Sequence, residues 1–237
     1  MIVVNINRIF YIAKLTIPIA TAYVPLGLAL GVFMVSSGVQ WFWAPVAALV
    51  IFAGSIEFLV VSFILAGLPL ATVAWTTLIV NFRHIFYGLS FPLKSLRTPL
   101  QKLYGIFALT DETYSITCTS EGKKLTGAEI SLLQVISHLW WVGATLIGAL
   151  IGTLIPPEIT GFEFALTAMF VTLAIDAVRH TVDNKLITYA VISSVFGVLM
   201  EYYVVNNAFL AAGLICYLSL ISKDYIYSRE EAIINDI

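Results

Sequence analysis

The sequence predicts an all-α integral membrane protein of about seven transmembrane helices, with eight as the alternative. Two observations carry that prediction. Of 237 residues, 60% are hydrophobic and only 11% charged, with a mean hydropathy of +0.96, far outside the range of soluble domains. From Leu15 to Ile56 there is no charged residue, enough for two passes of about twenty residues at roughly 1.5 Å each. The balance of 12 basic to 14 acidic residues offers no field for nucleic acid. Cys118 and Cys216 form no zinc pattern and compel no disulfide. No HExxH, Walker A, GxSxG or CxxC pattern occurs, so no enzyme activity, cofactor or metal is expected.

In chain order, residues 1–14 carry Arg8 and Lys14 without the layout of a cleavable signal peptide and read as an interfacial lead-in. A first span is expected at 16–36. A second is expected at 43–65, after a break marked by SSGVQ and by Trp41 and Trp43, which suit a membrane interface. The third span, 71–91, ends before a basic loop with Lys94, Arg97 and Lys102, bracketed by Pro92 and Pro99. Segment 103–120 is nearly long enough to cross, yet it carries Asp111 and Glu112 at its middle and has basic flanks on both sides. It reads as broken or re-entrant, entering and leaving on one side. Four further spans follow at 129–153, 162–180, 185–201 and 205–222, with a cytoplasmic tail at 223–237.

The chain reads as one transmembrane domain, with a first half at 15–120 and a second at 125–222. Seven spans place Arg8 and Lys14 outside, whereas eight place Lys94, Arg97 and Lys102 there, a heavier violation of the positive-inside rule. The pairs Gly27/Gly31 and Gly148/Gly152, followed by Glu57 and Asp176 respectively, raise the expectation of an inverted repeat. Small-residue pairs also serve any closely packed membrane helix.

An ionisable side chain at bilayer depth costs about 2.5–3.5 kcal/mol on insertion scales, so each one needs a reason. Glu57, behind Ser55 in FAGSIEF, is a candidate proton-exchanging group; the plainer role is a hydrogen bond to a neighbouring helix or a pair with arginine. VNFRHIFYGLS holds Asn81, Arg83, His84 and Tyr87. Arg83 suits Glu57, Asp111, Glu112 or a substrate carboxylate, because its fork grips carboxylates. His84 titrates near physiological pH. Snorkelling toward the basic loop is the plainer reading of both. In TDETY, Asp111 and Glu112 serve either a site or an ordinary helix cap at Thr110 or Asp111. Asp176 is expected to pair with Arg179, and His138 to be a buried histidine satisfied by one hydrogen bond.

These blocks, FAGSIEF at 52–58, VNFRHIFYGLS at 80–90 and LTDETYS at 109–115, with PLGLALG at 25–31 and GFEFAL at 161–166, resemble the AzlC family of branched-chain amino acid permeases. The resemblance implies export of leucine, isoleucine and valine across the bacterial inner membrane, together with a small AzlD-like membrane partner. This chain departs at Glu57, where members of the family usually carry Gln. The expected function is a proton-coupled secondary exporter of branched-chain or similar hydrophobic amino acids, its site formed by Glu57, Asn81, Arg83, His84, Asp111 and Glu112. A non-transporting scaffold subunit and a pore for another small metabolite are the alternatives.

Overall fold

The structure, a computed structural model, describes residues 6–156, 158–159, 161–162, 164–180, 184–204 and 209–235, without the side chains at 165–166, 173, 176–177, 180 and 227–235. Among the described residues every regular element is helical. In order they are α1 (Ile6–Leu15), α2 (Ile17–Ser36), α3 (Trp43–Val50), α4 (Gly54–Leu65), α5 (Leu70–Val80), α6 (Arg83–Ser90), α7 (Pro99–Phe107), α8 (Asp111–Cys118), α9 (Gly127–Gly152), α10 (Phe164–His180), α11 (Asn184–Tyr203) and α12 (Phe209–Asn235). Four are long and apolar enough to cross a membrane unaided: α2, α9, α11 and the stretch Phe209–Ile226 of α12. The chain divides into two compact units, Met1–Gly67 with Val80–Phe170, and Leu68–Ile79 with Val171–Ile237.

The first unit is organised on the seam between α2 and α9. A Cβ on Gly31 would meet the Thr145 carbonyl and the backbone of Gly148 and Ala149; one on Gly148 would meet the backbone of Leu28; one on Gly152 would lie 3.2 Å from the Val32 Cα. The two glycine pairs therefore interlock with each other across one close helix contact. Residues 27, 31 and 35 meet 144, 148 and 152 in rising order, so the helices run parallel. This corrects the inverted repeat, in which these two helices would run in opposite senses.

The N-terminal end is corrected as well. Arg8 pairs with Glu129 at 2.6 Å and the Tyr11 hydroxyl donates to Glu121 at 2.9 Å, which puts α1 at the N-terminal end of α9, which Lys123 and Lys124 immediately precede. Ser95 and Leu96 pack against Gly127, so Lys94 and Arg97 lie at that end too. Lys124 and then Tyr11 donate to Glu121 and hold its carboxyl below its ordinary value of 4.5. A depressed carboxylate contributes to attachment above its free pKa and loses that contribution as pH falls. The protection factors of residues 6–15 in hydrogen exchange are expected to fall modestly below about pH 4.5.

The predicted span 43–65 is a broken hairpin. α3 leaves the far end of α2 and descends until the Ala48 carbonyl accepts from His138 and Phe52 sits edge-on to Tyr23 at 6.3 Å; α4 then climbs back, with Phe58 stacked on Phe33 at 6.0 Å. The turn is made by Phe52 at φ +46° and fixed by the Glu57 carboxylate, which accepts the Ala53 N–H at 3.0 Å. The break expected within 103–120 is present at 108–110, in a second hairpin formed by α7 and α8. Capping boxes at Thr98/Gln101 and Thr110/Thr113 start its two arms. The Gln134 amide holds the tip by donating to Gly105 and Ala108 carbonyls at 2.9 and 3.1 Å. Gly122 packs on Ile116 and Thr117, returning the second arm to the end where the first began. Neither hairpin crosses from one end of the α2–α9 seam to the other: 103–120 returns to its own end as the seven-span reading expected, while 43–65 does not form the single pass that the seven- and eight-span readings both counted. The predicted span 71–91 is likewise broken, at Asn81–Phe82 between α5 and α6.

In the second unit α11 and α12 form an antiparallel pair: Gly197 closes on the Phe209 carbonyl, Gly213 on that of Ser193, and Lys185 lies 3.7 Å from Asp224. α12 continues through the predicted tail to Asn235. The side chain of Asp176 lies outside the described residues, and with it the expected pair to Arg179.

Candidate functional site

Each polar block of the first half falls on a helix break. Residues 51–53 separate α3 from α4, 81–82 separate α5 from α6, and 108–110 separate α7 from α8. The breaks at 51–53, 81–82 and 108–110 all contribute to one cavity of about 250 Å³, through Ile51–Ala53, through Asn81 and His84, and through Ile106, Phe107 and Leu109. That volume is room for about eight waters at roughly 30 Å³ each. Its walls are mainly apolar, with the Asn81 amide and the His84 imidazole as the polar side chains. The cavity runs from the hairpin tips along α6 to Phe91 and Leu93, toward the end of the unit where Ser95 meets Gly127.

Of the other candidates, Arg83 and Asp111 come together. Arg83 Nη1 lies 2.6 Å from Asp111 Oδ2, while Arg83 Nε and Asp111 Oδ1 are buried with no hydrogen-bond partner. Tyr87 stacks on Tyr114 at 4.5 Å, and the Tyr114 and Ser90 hydroxyls are 2.6 Å apart. These contacts join α6 to α8. His84 Nδ1 lies 3.1 Å from the Asn81 carbonyl, which can only accept, so Nδ1 carries the proton and Nε2 of the neutral ring is an acceptor.

Glu57 and Arg83 do not pair. Glu57, 1% exposed, accepts on Oε1 from the Ala53 N–H and from Trp141 Nε1 at 3.0 Å, and its Oε2 has no partner. Ser55 is buried in the same first turn of α4. An amide would supply the same single acceptor. Glu57→Gln is therefore expected to keep the fold and transport within about twofold, whereas Trp141→Phe, which strips a donor from a buried carboxylate, costs about 1–3 kcal/mol. Thermal midpoints in detergent check the stability claim, and flux assays check the other. Glu112 accepts from the Tyr23 hydroxyl at 2.9 Å, and that hydroxyl lies 2.7 Å from Thr110 Oγ1. Thr110 is the N-cap of α8, so Asp111 and Glu112 occupy its first turn, where the helix dipole favours negative charge. Cap and site therefore share one segment.

His138 makes two hydrogen bonds where one was expected. Nε2 donates to the Ala48 carbonyl at 3.1 Å, which leaves Nδ1 to accept from the Tyr104 hydroxyl at 3.1 Å. It thus ties α3 and α7, one arm of each hairpin, to α9. Sequence reasoning missed Tyr23, Trp141, Tyr104 and Phe52. For Tyr23 and Trp141 the available signal was that a Tyr or Trp buried in an apolar helix needs a partner for its polar atom; nothing in the sequence marked Tyr104 or Phe52.

A family model described as AzlC protein matches residues 18–155, a stretch that contains all three breaks. The chain is 35% identical over 163 residues to the branched-chain amino acid transport protein AzlC of Bacillus subtilis, covering 68% of this chain and 64% of that protein, a little under two thirds of its length. It is 30% identical over 174 residues to an uncharacterized membrane protein of Haemophilus influenzae, covering 70% and 71%. It is 25% identical over 213 residues to the inner membrane protein YgaZ of Escherichia coli, covering 86% and 85%. No solved structure matches.

Proposed function

Because the chain belongs to the AzlC family of multi-pass membrane proteins, we propose that it exports branched-chain or similar hydrophobic amino acids across the bacterial inner membrane. Export is driven by the proton gradient, and a small AzlD-like membrane protein acts with it. The observation that carries this reading is the cavity at the three helix breaks, of a size for a solute with about as many heavy atoms as leucine and walled by Ile51, Phe52, Ile106, Phe107 and Leu109. Such walls suit an aliphatic side chain, and broken helices supply polar backbone at depth without exposing it to lipid. Arg83 is not itself a lining residue but precedes the lining residue His84 at the start of α6, and its Nε is buried without a partner. In this reading it holds the cargo carboxylate while Asp111 keeps the guanidinium in place. The basic end of the first unit, with Arg8, Lys94, Arg97, Lys123 and Lys124, faces the cytoplasm.

The test is flux in liposomes containing the purified chain and its small partner under an imposed pH gradient. Leucine, isoleucine or valine should move, and a protonophore should stop the movement. Absence of flux for all three overturns the cargo, and flux indifferent to the protonophore overturns the coupling.

A further inference from the structure

The first hairpin tip lines the cavity through Ile51, Phe52 and Ala53, and one residue there is under strain. Among the described residues Phe52 is the one non-glycine at positive φ, +46°. An aromatic side chain rarely adopts that conformation, and its persistence requires surroundings that enforce it. Those surroundings are rings. Phe52 is 5% exposed, stacks on the His138 imidazole at 4.1 Å and 23°, meets Tyr23 edge-on at 6.3 Å and lies 6.3 Å from Phe107. Its position is thereby referred to both hairpins and to both helices of the seam: Tyr23 belongs to α2, His138 to α9 and Phe107 to α7. Beyond the ring, α3 and α4 lead to the opposite end of the seam, where Trp43 follows the end of α2 and Phe58 reaches Phe33.

From these contacts we infer that Phe52 is the gate residue of the path through the first unit. In the arrangement seen here its ring closes the cavity toward the Trp43 end, and packing on His138, Tyr23 and Phe107 offsets the backbone strain. A solute that lifts the ring off His138 lets residue 52 relax to negative φ and opens the cavity toward that end. The movement is confined to residue 52, because Glu57 holds the Ala53 N–H and Trp141 holds Glu57 just behind it. Phe52 is a positioning and gating residue, with no chemistry of its own. The inference rests on the transport reading above.

The test reads sidedness without any cargo. Gly88 lines the cavity, and a Cβ there meets nothing within 4 Å, so Gly88→Cys, in a chain with Cys118→Ser and Cys216→Ser, is a reporter. A membrane-impermeant maleimide is applied from each face of oriented vesicles containing the full chain and its partner. With Phe52 in place, labelling should proceed only from the face bearing Lys123 and Lys124. Phe52→Gly removes both ring and strain, and His138→Ala removes the surface on which the ring stacks. Each should raise labelling from the opposite face at least tenfold. If one variant does not fold, the other decides. One-sided labelling in the variant or variants that fold overturns the gate, as does labelling from both faces with Phe52 present. Absence of amino acid flux with the gate result intact would overturn the cargo assignment alone.

Discussion

Replacing Arg83 with alanine is expected to reduce transport at least tenfold and to lower stability by about 1–3 kcal/mol, the cost of leaving a charged hydrogen-bond partner alone. Asp111 would lose its one ion pair, 2.6 Å to Arg83 Nη1, while its Oδ1 already lacks a partner. The pair is partly exposed, with side chains at 37% and 27%, so the cost stays below that of a fully buried pair. The swap Arg83→Asp with Asp111→Arg separates the two roles of the arginine. It should recover most of the thermal midpoint, because the pair is rebuilt in reverse. Transport should stay lost, because the cation no longer precedes His84 at the start of α6.

Gly148→Leu is expected to leave no folded protein. A Cβ at this position would press on the Leu28 backbone, which has no flexible end to move aside. Overpacking costs about 1–3 kcal/mol where side chains can adjust; here the two helices would have to separate along the seam that supports both hairpins. Gly143 lies on the same helix, yet a Cβ there meets nothing within 4 Å. Gly143→Leu should therefore fold normally, which distinguishes a seam effect from a general intolerance of leucine in α9. Size-exclusion profiles of the two variants in detergent decide the matter.

Much of the helical content was legible because an uncharged run has few alternatives in a membrane: the limits expected for α2, α9 and α11 fall within about two residues of those observed. The polar blocks were legible for the same reason, since Glu57, Arg83 and Asp111 are costly wherever lipid surrounds them. The breaks beneath two of those blocks were not. Neither Ile51–Ala53 nor Asn81–Phe82 contains proline or glycine, and the turn at Phe52 exists because tertiary contacts hold a conformation its own preference opposes. The break at 108–110 was readable because Thr110 and Thr113 form a capping box in plain sequence. Reversal of the first hairpin was hidden as well, since hydropathy counts length and not direction, whereas that of the second was expected from the basic residues on both its flanks. Pairing remained open for a related reason. Arg83 had three candidate acids, and only the fold shows that Asp111 takes it, while Trp141 takes Glu57 and Tyr23 takes Glu112.

The central claim is that cargo sits in the cavity where the three breaks meet. Equilibrium binding of radiolabelled L-leucine to the purified chain, compared with the Gly88→Phe variant, tests it most directly. A phenylalanine at 88 has open space at its Cβ and fills the cavity from α6 without disturbing the helix. Binding should fall at least tenfold in the variant while its thermal midpoint stays unchanged. A Gly88→Phe protein that binds leucine as the wild type does would contradict the claim.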